Sequence, residues 1–267
     1  MSQNANQLTK NLSPGFIEPF TAPVQGTVPF FVGKSWLDKI RDAKSILGGK
    51  VIVLGTTTRE AAIMMPLLHP SFFSFETMSQ WNITQLNFRE LATKTFKAAK
   101  IPATVTTRII NEYIEKSQYG SGYIDRLIEL YSDFLFVCPV LKLTNVLSSL
   151  TESSNVYVYQ YDHTNTKSPF DASAGAIHTA ELNPLFGYPL IEVGWTKEEQ
   201  AMSRRMIEYW TNLAKIGKPT KDNSVWPPFI QNKEMINLTV KGPGLKPLNE
   251  KLATCREFDK QDSHSEL

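Results

Sequence analysis

The chain has 267 residues, 42% of them hydrophobic and 20% charged, an ordinary globular composition with enough apolar material for a sizeable core. Twenty-eight Lys and Arg against 26 Asp and Glu leave a net charge of +2, too small to imply a nucleic-acid or membrane-surface partner. No apolar run approaches the roughly 18–20 residues of a membrane span, and residues 1–10 lack the apolar stretch of a signal peptide, so neither a span nor export is predicted from this chain.

Residues 1–35 read as irregular, because Pro14, Pro19, Pro23 and Pro29 break any helical period. A short helix is predicted over residues 35–43 around Trp36, Leu37 and Ile40. Residues 50–55 form a continuous apolar run ending in Gly55, the pattern of a strand buried on both faces in a parallel sheet. Glu60 lies a few residues beyond its end, and His69, between Pro66 and Pro70, reads as a loop residue. Residues 83–150 turn helical. Leu86, Leu91 and Phe96 mark one helix closed by Pro102, and Val105, Ile109, Tyr113 and Ile114 mark the next. A third is predicted over 123–136, and a fourth follows Pro139 as far as Leu147.

Residues 155–161 are rich in β-branched and aromatic side chains, and they make the clearest strand in the chain. A helix over 197–216 is signalled by Thr196 and Glu199, which have capping-box spacing, and by Gly217 and Pro219 beyond its end. Met202, Met206, Trp210 and Leu213 line one side of it as core positions. Trp226-Pro227-Pro228-Phe229 reads as a rigid turn and residues 235–240 as a late strand. The termini, 1–15 and 259–267, are predicted to be disordered. No repeat or linker divides the chain, so residues 1–267 are read as one domain.

Strand, helical excursion, strand, loop, helix, strand is the order of an α/β sheet covered by helices. In such sheets functional groups gather beyond the carboxyl ends of the strands, where both Glu60 and the loop Gly175-Ala176-Ile177-His178-Thr179-Ala180-Glu181-Leu182 fall. A histidine set among small residues after a strong strand is where a serine hydrolase keeps its general base, and a carboxylate orients that ring. In the α/β-hydrolase order of nucleophile, acid and histidine, Glu60 ahead of His178 demands a serine upstream of Glu60. Only Ser2, Ser13, Ser35 and Ser45 precede it, and none sits in Gly-x-Ser-x-Gly. Ser35, in Gly33-Lys34-Ser35-Trp36-Leu37, comes nearest, but leucine replaces the second glycine. Gly120-Ser121-Gly122 is downstream and reads as a turn, and a glycine-rich oxyanion loop is absent from the sequence.

The remaining histidines carry less. His163, after Asp162, anchors or caps a turn, and His264 lies in the tail. No pair has metal-ligand spacing and no phosphate loop follows a strand. Cys138 and Cys255 are far apart, so that two free thiols and a long-range disulfide are both open on spacing alone. Sequons at Asn11, Asn82 and Asn237 are compatible with secretion, Asn82 and Asn237 being the glycosylation candidates.

Several of these segments, in order, resemble the C-terminal half of the type-B carboxylesterase/cholinesterase family over about residues 16–258. The first is Pro23-Val24-Gln25-Gly26, followed by Val53-Leu54-Gly55-Thr56-Thr57-Thr58-Arg59-Glu60-Ala61, where the family's glutamate is the triad acid. Residues 133–139, with Cys138 and Pro139, and residues 156–163 follow. Then come Gly175 to Leu182 with Leu185-Phe186-Gly187, where the family's histidine is the triad base. Residues 203–215 and Trp226-Pro227-Pro228 complete the set.

The resemblance implies a partial α/β-hydrolase with an incomplete central sheet, holding acid Glu60 and base His178 but neither nucleophile nor oxyanion loop, and so inactive alone. Its cholinesterase branch implies a Cys138–Cys255 disulfide and a secreted or cell-surface parent. It also implies a carboxylic-ester substrate once the missing half is supplied, no cofactor, and a homodimer through the C-terminal helix, residues 248–258. Ile63 and Met64 stand where choline-binding members carry aromatics, and Ser173 and Ala180 each replace another, which weakens a choline pocket. The alternative reading is a non-catalytic cholinesterase-like protein that serves adhesion or ligand binding.

Overall fold

The computed structural model describes residues 49–116, 122–150 and 156–259, so the readings for residues 1–48, Ser121 and His264 lie outside the described residues. The frame is a four-stranded sheet in the order β1-β2-β3-β4. It comprises β1 (Ile52–Thr57), β2 (Val156–Tyr161), β3 (Glu234–Thr239) and β4 (Gly242–Pro247). β1, β2 and β3 run parallel and β4 returns antiparallel to β3. It is a mixed α/β architecture of the α/β-hydrolase type.

β1 and β2 pair in register from Ile52 opposite Val156 to Thr57 opposite Tyr161. Gly55 makes this pairing possible, since a β-carbon there would lie 2.1 Å from the ring of Tyr159 on β2. β2 is buried along almost its whole length. β1 is buried only at Thr56 and Thr57, with Ile52 to Gly55 half-buried, so the expected burial on both faces is reached only at its carboxyl end. The reason is position: β1 is the edge of the sheet among the described residues. β4 was not foreseen, because Gly-Pro-Gly-Leu-Lys-Pro carries little β signal. It pairs with β3 through a tight turn at Thr239 and Gly242, and its prolines are tolerated because it is an outer strand.

Between β1 and β2 come α1 (Gln85–Ala98), α2 (Ala103–Lys116), α3 (Tyr123–Ser132) and α4 (Cys138–Leu150). Thr84 caps α1 by accepting from the Asn87 amide, and Phe88, Leu91 and Phe96 enter the core while Leu86 stays exposed. The predicted break before Pro139 does not occur. Residues Asp133–Val137 form a π-turn, and the helix continues through Pro139 to Leu150. The wider spacing of a π-turn accommodates a residue that lacks an N–H, so proline need not end the helix here. The joined helix, Tyr123–Leu150, is 28 residues and by length and composition alone could cross a bilayer. In the fold Leu127, Ile128, Leu130, Tyr131, Leu141 and Leu147 are buried, and Lys251 pairs with Glu129 and Asp133 on its flank, which marks a core helix.

After β2 the chain makes the His178 loop and two single-turn helices, then α5 (Lys197–Ile216). The capping box is formed as read: Thr196 Oγ1 accepts from the Glu199 amide and Glu199 Oε2 accepts from the Thr196 amide. Met202, Met206 and Leu213 are buried, as is Trp226, which stands against Tyr157, Tyr159, Tyr209 and Trp210 and donates its Nε1–H to the Val158 carbonyl at 3.0 Å. α6 (Asn249–Asp259) is tied to α4 by a Cys138–Cys255 disulfide spanning 117 positions. Closing a loop of that size contributes about 3–5 kcal/mol.

Candidate active site

The parallel strands β1 and β2 end side by side, and the chain leaves each in a loop that crosses to the other. After Thr57 and Thr58, Arg59 bridges Ile177 across the gap: its N–H donates to the Ala176 carbonyl at 3.0 Å. The following turn, Glu60–Met64, is tight, and its Ala61 N–H donates to Ser132 Oγ on α3, also at 3.0 Å. Two hydrogen bonds therefore fix the backbone on either side of Glu60 before its side chain makes any contact.

Glu60 is 4% exposed, and both carboxylate oxygens are used. Oε1 accepts from the Thr57 N–H at 2.7 Å, and Oε2 lies 2.6 Å from His178 Nδ1. A carboxylate can only accept, so Nδ1 carries the hydrogen and Nε2 keeps its lone pair. His178 is half-buried, its ring centroid is 5.0 Å from that of Phe136, and Nε2 makes no hydrogen bond among the described residues. The bond to Glu60 raises the imidazole above its ordinary 6.5, partly opposed by desolvation, with the charges of Glu60 and Glu181 adding to the rise.

Glu181 is a second carboxyl beside this pair. Burial raises its pKa and the charge of Glu60 adds to that, opposed by a backbone hydrogen bond, the charge of His178 and the 3.5 Å hydrogen bond that Tyr159 donates to its Oε1. Its Oε2 is buried without a hydrogen-bond partner. Glu60 is thus hydrogen-bonded by an amide and an imidazole, while its neighbour Glu181 is pushed towards its protonated form. Beyond His178, the loop is held by Asn165, whose Nδ2 donates to the Ala180 carbonyl at 2.6 Å while its Oδ1 accepts from Tyr161.

The two residues singled out for acid–base chemistry, 118 positions apart, are thus brought into contact. Cys138 and Cys255 are bonded to each other. Asn82 is exposed ahead of α1, whereas Asn237 lies within β3 with its Nδ2 directed at Asp162. His163 anchors a turn by contacting Glu199 at 2.9 Å. His69 lies in the loop after a short helix, as read, but is 3% exposed, its Nε2 hydrogen-bonded with the Tyr131 and Thr95 hydroxyls inside the core. Ile63 is half-buried, Met64 and Ala180 are buried, and Ser173 is exposed. Sequence spacing offered no sign of Phe136, Ser132 or Arg59 at the site, since each arrives from a distant segment or by side-chain reach.

Known proteins share sequence with much of this chain. A pyrethroid hydrolase, Ces2e, of Rattus norvegicus is 26% identical over 80% of this chain and 39% of its own length. The medium-chain fatty acyl-CoA hydrolase precursor of Anas platyrhynchos is 24% identical over 84% of this chain and 41% of its own. A cholinesterase of Mus musculus is 33% identical over 42% of this chain and 19% of its own. The chain thus spans about two fifths or less of the length of these relatives. The profile of the carboxylesterase family matches residues 2–254. With nearly its whole length inside that match, the chain belongs to the carboxylesterase family.

Proposed function

We propose that this chain supplies the acid and the base of a carboxylic-ester hydrolase site, with the nucleophilic serine coming from sequence other than its own. The observation that carries the reading is the 2.6 Å contact between His178 Nδ1 and Glu60 Oε2, with Oε1 pinned by the Thr57 amide and Nε2 left without a partner among the described residues. Glu60 holds the ring in the tautomer whose Nε2 can take a hydroxyl proton, and it stabilises the imidazolium that forms. As pH falls through the raised pKa of His178 the base becomes protonated, so activity of the completed site rises with pH through that value.

The absence of Gly-x-Ser-x-Gly in the sequence supports a nucleophile from elsewhere. So do the exposed Phe186, Ile191 and Val193, at 72%, 80% and 88%, which follow the histidine loop and offer apolar surface for an adjoining part of a hydrolase fold to cover. The Cys138–Cys255 disulfide favours an oxidising, extracellular setting. Ile63 and Met64 supply no aromatic face for a quaternary ammonium, so a general carboxylic ester fits better than choline. In α6, Leu252 and Cys255 point inward, so a homodimer formed there rests on Glu250, Ala253 and Arg256. A binding or adhesion role needs neither Glu60 nor His178, and their close pairing favours the hydrolase reading over it.

A fluorophosphonate probe tests the assignment. The chain by itself is expected to carry no labelled serine and to turn over no p-nitrophenyl ester. Labelling of Ser35 would replace this reading with that of a self-sufficient hydrolase.

A further inference from the structure

The geometry points to Arg59 as a positioning residue for His178: its guanidinium ties the histidine loop to both the acid turn and α3, and thereby sets the distance between the imidazole and Glu60. This rests on the acid–base reading of the Glu60–His178 pair and adds to it a residue that touches neither reacting nitrogen.

Arg59 makes three directional contacts around the loop. Its backbone N–H donates to the Ala176 carbonyl, its side-chain Nε–H donates to the Ala174 carbonyl at 3.0 Å, and its Nη1 pairs with Asp125 Oδ1 on α3 at 2.9 Å. The side chain is 15% exposed and Ala174 is 3% exposed, so the carbonyl it satisfies has little access to water. Taking that donor away leaves a buried carbonyl unpaired, which the loop can relieve only by moving. The loop is shaped to let the arginine pass. Gly175 adopts φ +71°, and a β-carbon built there would lie 2.2 Å from Arg59 Cδ, so the stem runs across the place where any other residue would carry its side chain.

Ala174, Ala176 and Ile177 pack in the core, but the loop has few other directional contacts that could set its position. Before His178, the bonds inside the segment are the local turns from Asp171 to Ala174, from Ala172 to Gly175 and from Gly175 to Ile177, which shape it without fixing it to the sheet. After His178, Asn165 holds Ala180 from the far side. The ring itself faces Glu60, Glu181 and Phe136. Arg59 is therefore the side chain that docks the approach to His178 onto the residue next to its acid partner, and the chain order Arg59-Glu60 builds clamp and acid into a single turn.

The test is proton and nitrogen NMR of His178 in the whole chain. Arg59→Met keeps the aliphatic stem over Gly175 and removes both side-chain contacts. With near-UV circular dichroism unchanged, it is expected to lose the hydrogen-bonded Nδ1 proton signal and to shift the His178 titration down towards the ordinary 6.5. A folded Arg59→Met protein with the wild-type signal and titration overturns the proposal. Should that variant fail to fold, Asp125→Asn frees only the far end of the guanidinium. It is expected to produce a smaller shift in the same direction, and an unmoved His178 titration overturns the proposal there too. Glu60→Gln separates the two readings. If it leaves His178 untouched, the acid–base pair itself is wrong, whereas if it shifts His178 and Arg59→Met does not, the clamp alone is wrong.

Discussion

His178 and His69 place the same ring in opposite settings. At the rim of the sheet, His178 is half-buried with a carboxylate 2.6 Å from Nδ1, and its proton affinity is raised. In the helical layer, His69 is 3% exposed and meets only hydroxyls, Tyr131 at 2.8 Å and Thr95 at 3.3 Å, while its Nδ1 is buried without a partner. Burial, with some help from the charge of Lys94, brings its pKa down to about 4. Desolvation penalises the charged ring in both places, and an ionised neighbour outweighs that penalty only at the rim. The contrast separates a histidine whose carboxylate partner favours the protonated ring from one that completes a buried hydrogen-bond group.

The largest effect that could break this contrast is on stability. His69→Ala removes a buried ring and leaves the Tyr131 and Thr95 hydroxyls one acceptor or donor short, at a cost of about 2–4 kcal/mol. His178→Gln, at a half-exposed position and with an amide that keeps a donor for the buried Glu60, costs less, about 1 kcal/mol or below. Urea unfolding of the two variants measures both, and equal destabilisation would erase the distinction.

A smaller effect, with opposite signs at the two sites, appears in the pH dependence. His69 has a depressed native pKa, so as pH falls from 6.5 to about 4 the unfolded chain takes up a proton that the native state refuses. Stability is lost across that window, by up to about 3 kcal/mol. His178 has a raised native pKa, so its contribution is complete below 6.5 and is lost as pH rises through the native value, and solvent screening keeps it smaller. His69→Gln is expected to flatten the acid limb in urea titrations at pH 7 and pH 4.5. An acid limb as steep as that of wild type would assign the loss to other groups.

How much of this was legible in the sequence follows the range of the forces involved. α5 could be read to its ends because Thr196, Glu199 and Gly217 act within one helical turn of them. β2 could be read because its β-branched and aromatic run is local. The π-turn at Asp133–Val137 could not, because Pro139 taken alone says stop, and only the packing of the joined helix favours continuation. β4 was missed because partnership with β3, not its own residues, makes it a strand. His69 was read correctly as a loop residue, but its burial could not be read, because its neighbours in sequence are prolines while its neighbours in space are Tyr131 and Thr95, from two other helices. At the site, Glu60 and His178 were visible as residue types in the right loops and in a familiar order. Arg59 was not, since nothing in the spacing tells that its side chain reaches past Gly175 to α3.

The central claim, that Glu60 and His178 serve as acid and base for a serine held on another segment, is tested most directly by supplying that segment. The chain would be co-expressed with the N-terminal half of a carboxylesterase bearing Gly-x-Ser-x-Gly, and hydrolysis of a p-nitrophenyl ester would be followed with and without substitution. The expected result is turnover that falls at least about 1,000-fold in His178→Gln and substantially in Glu60→Gln. Turnover that survives His178→Gln unchanged would contradict it.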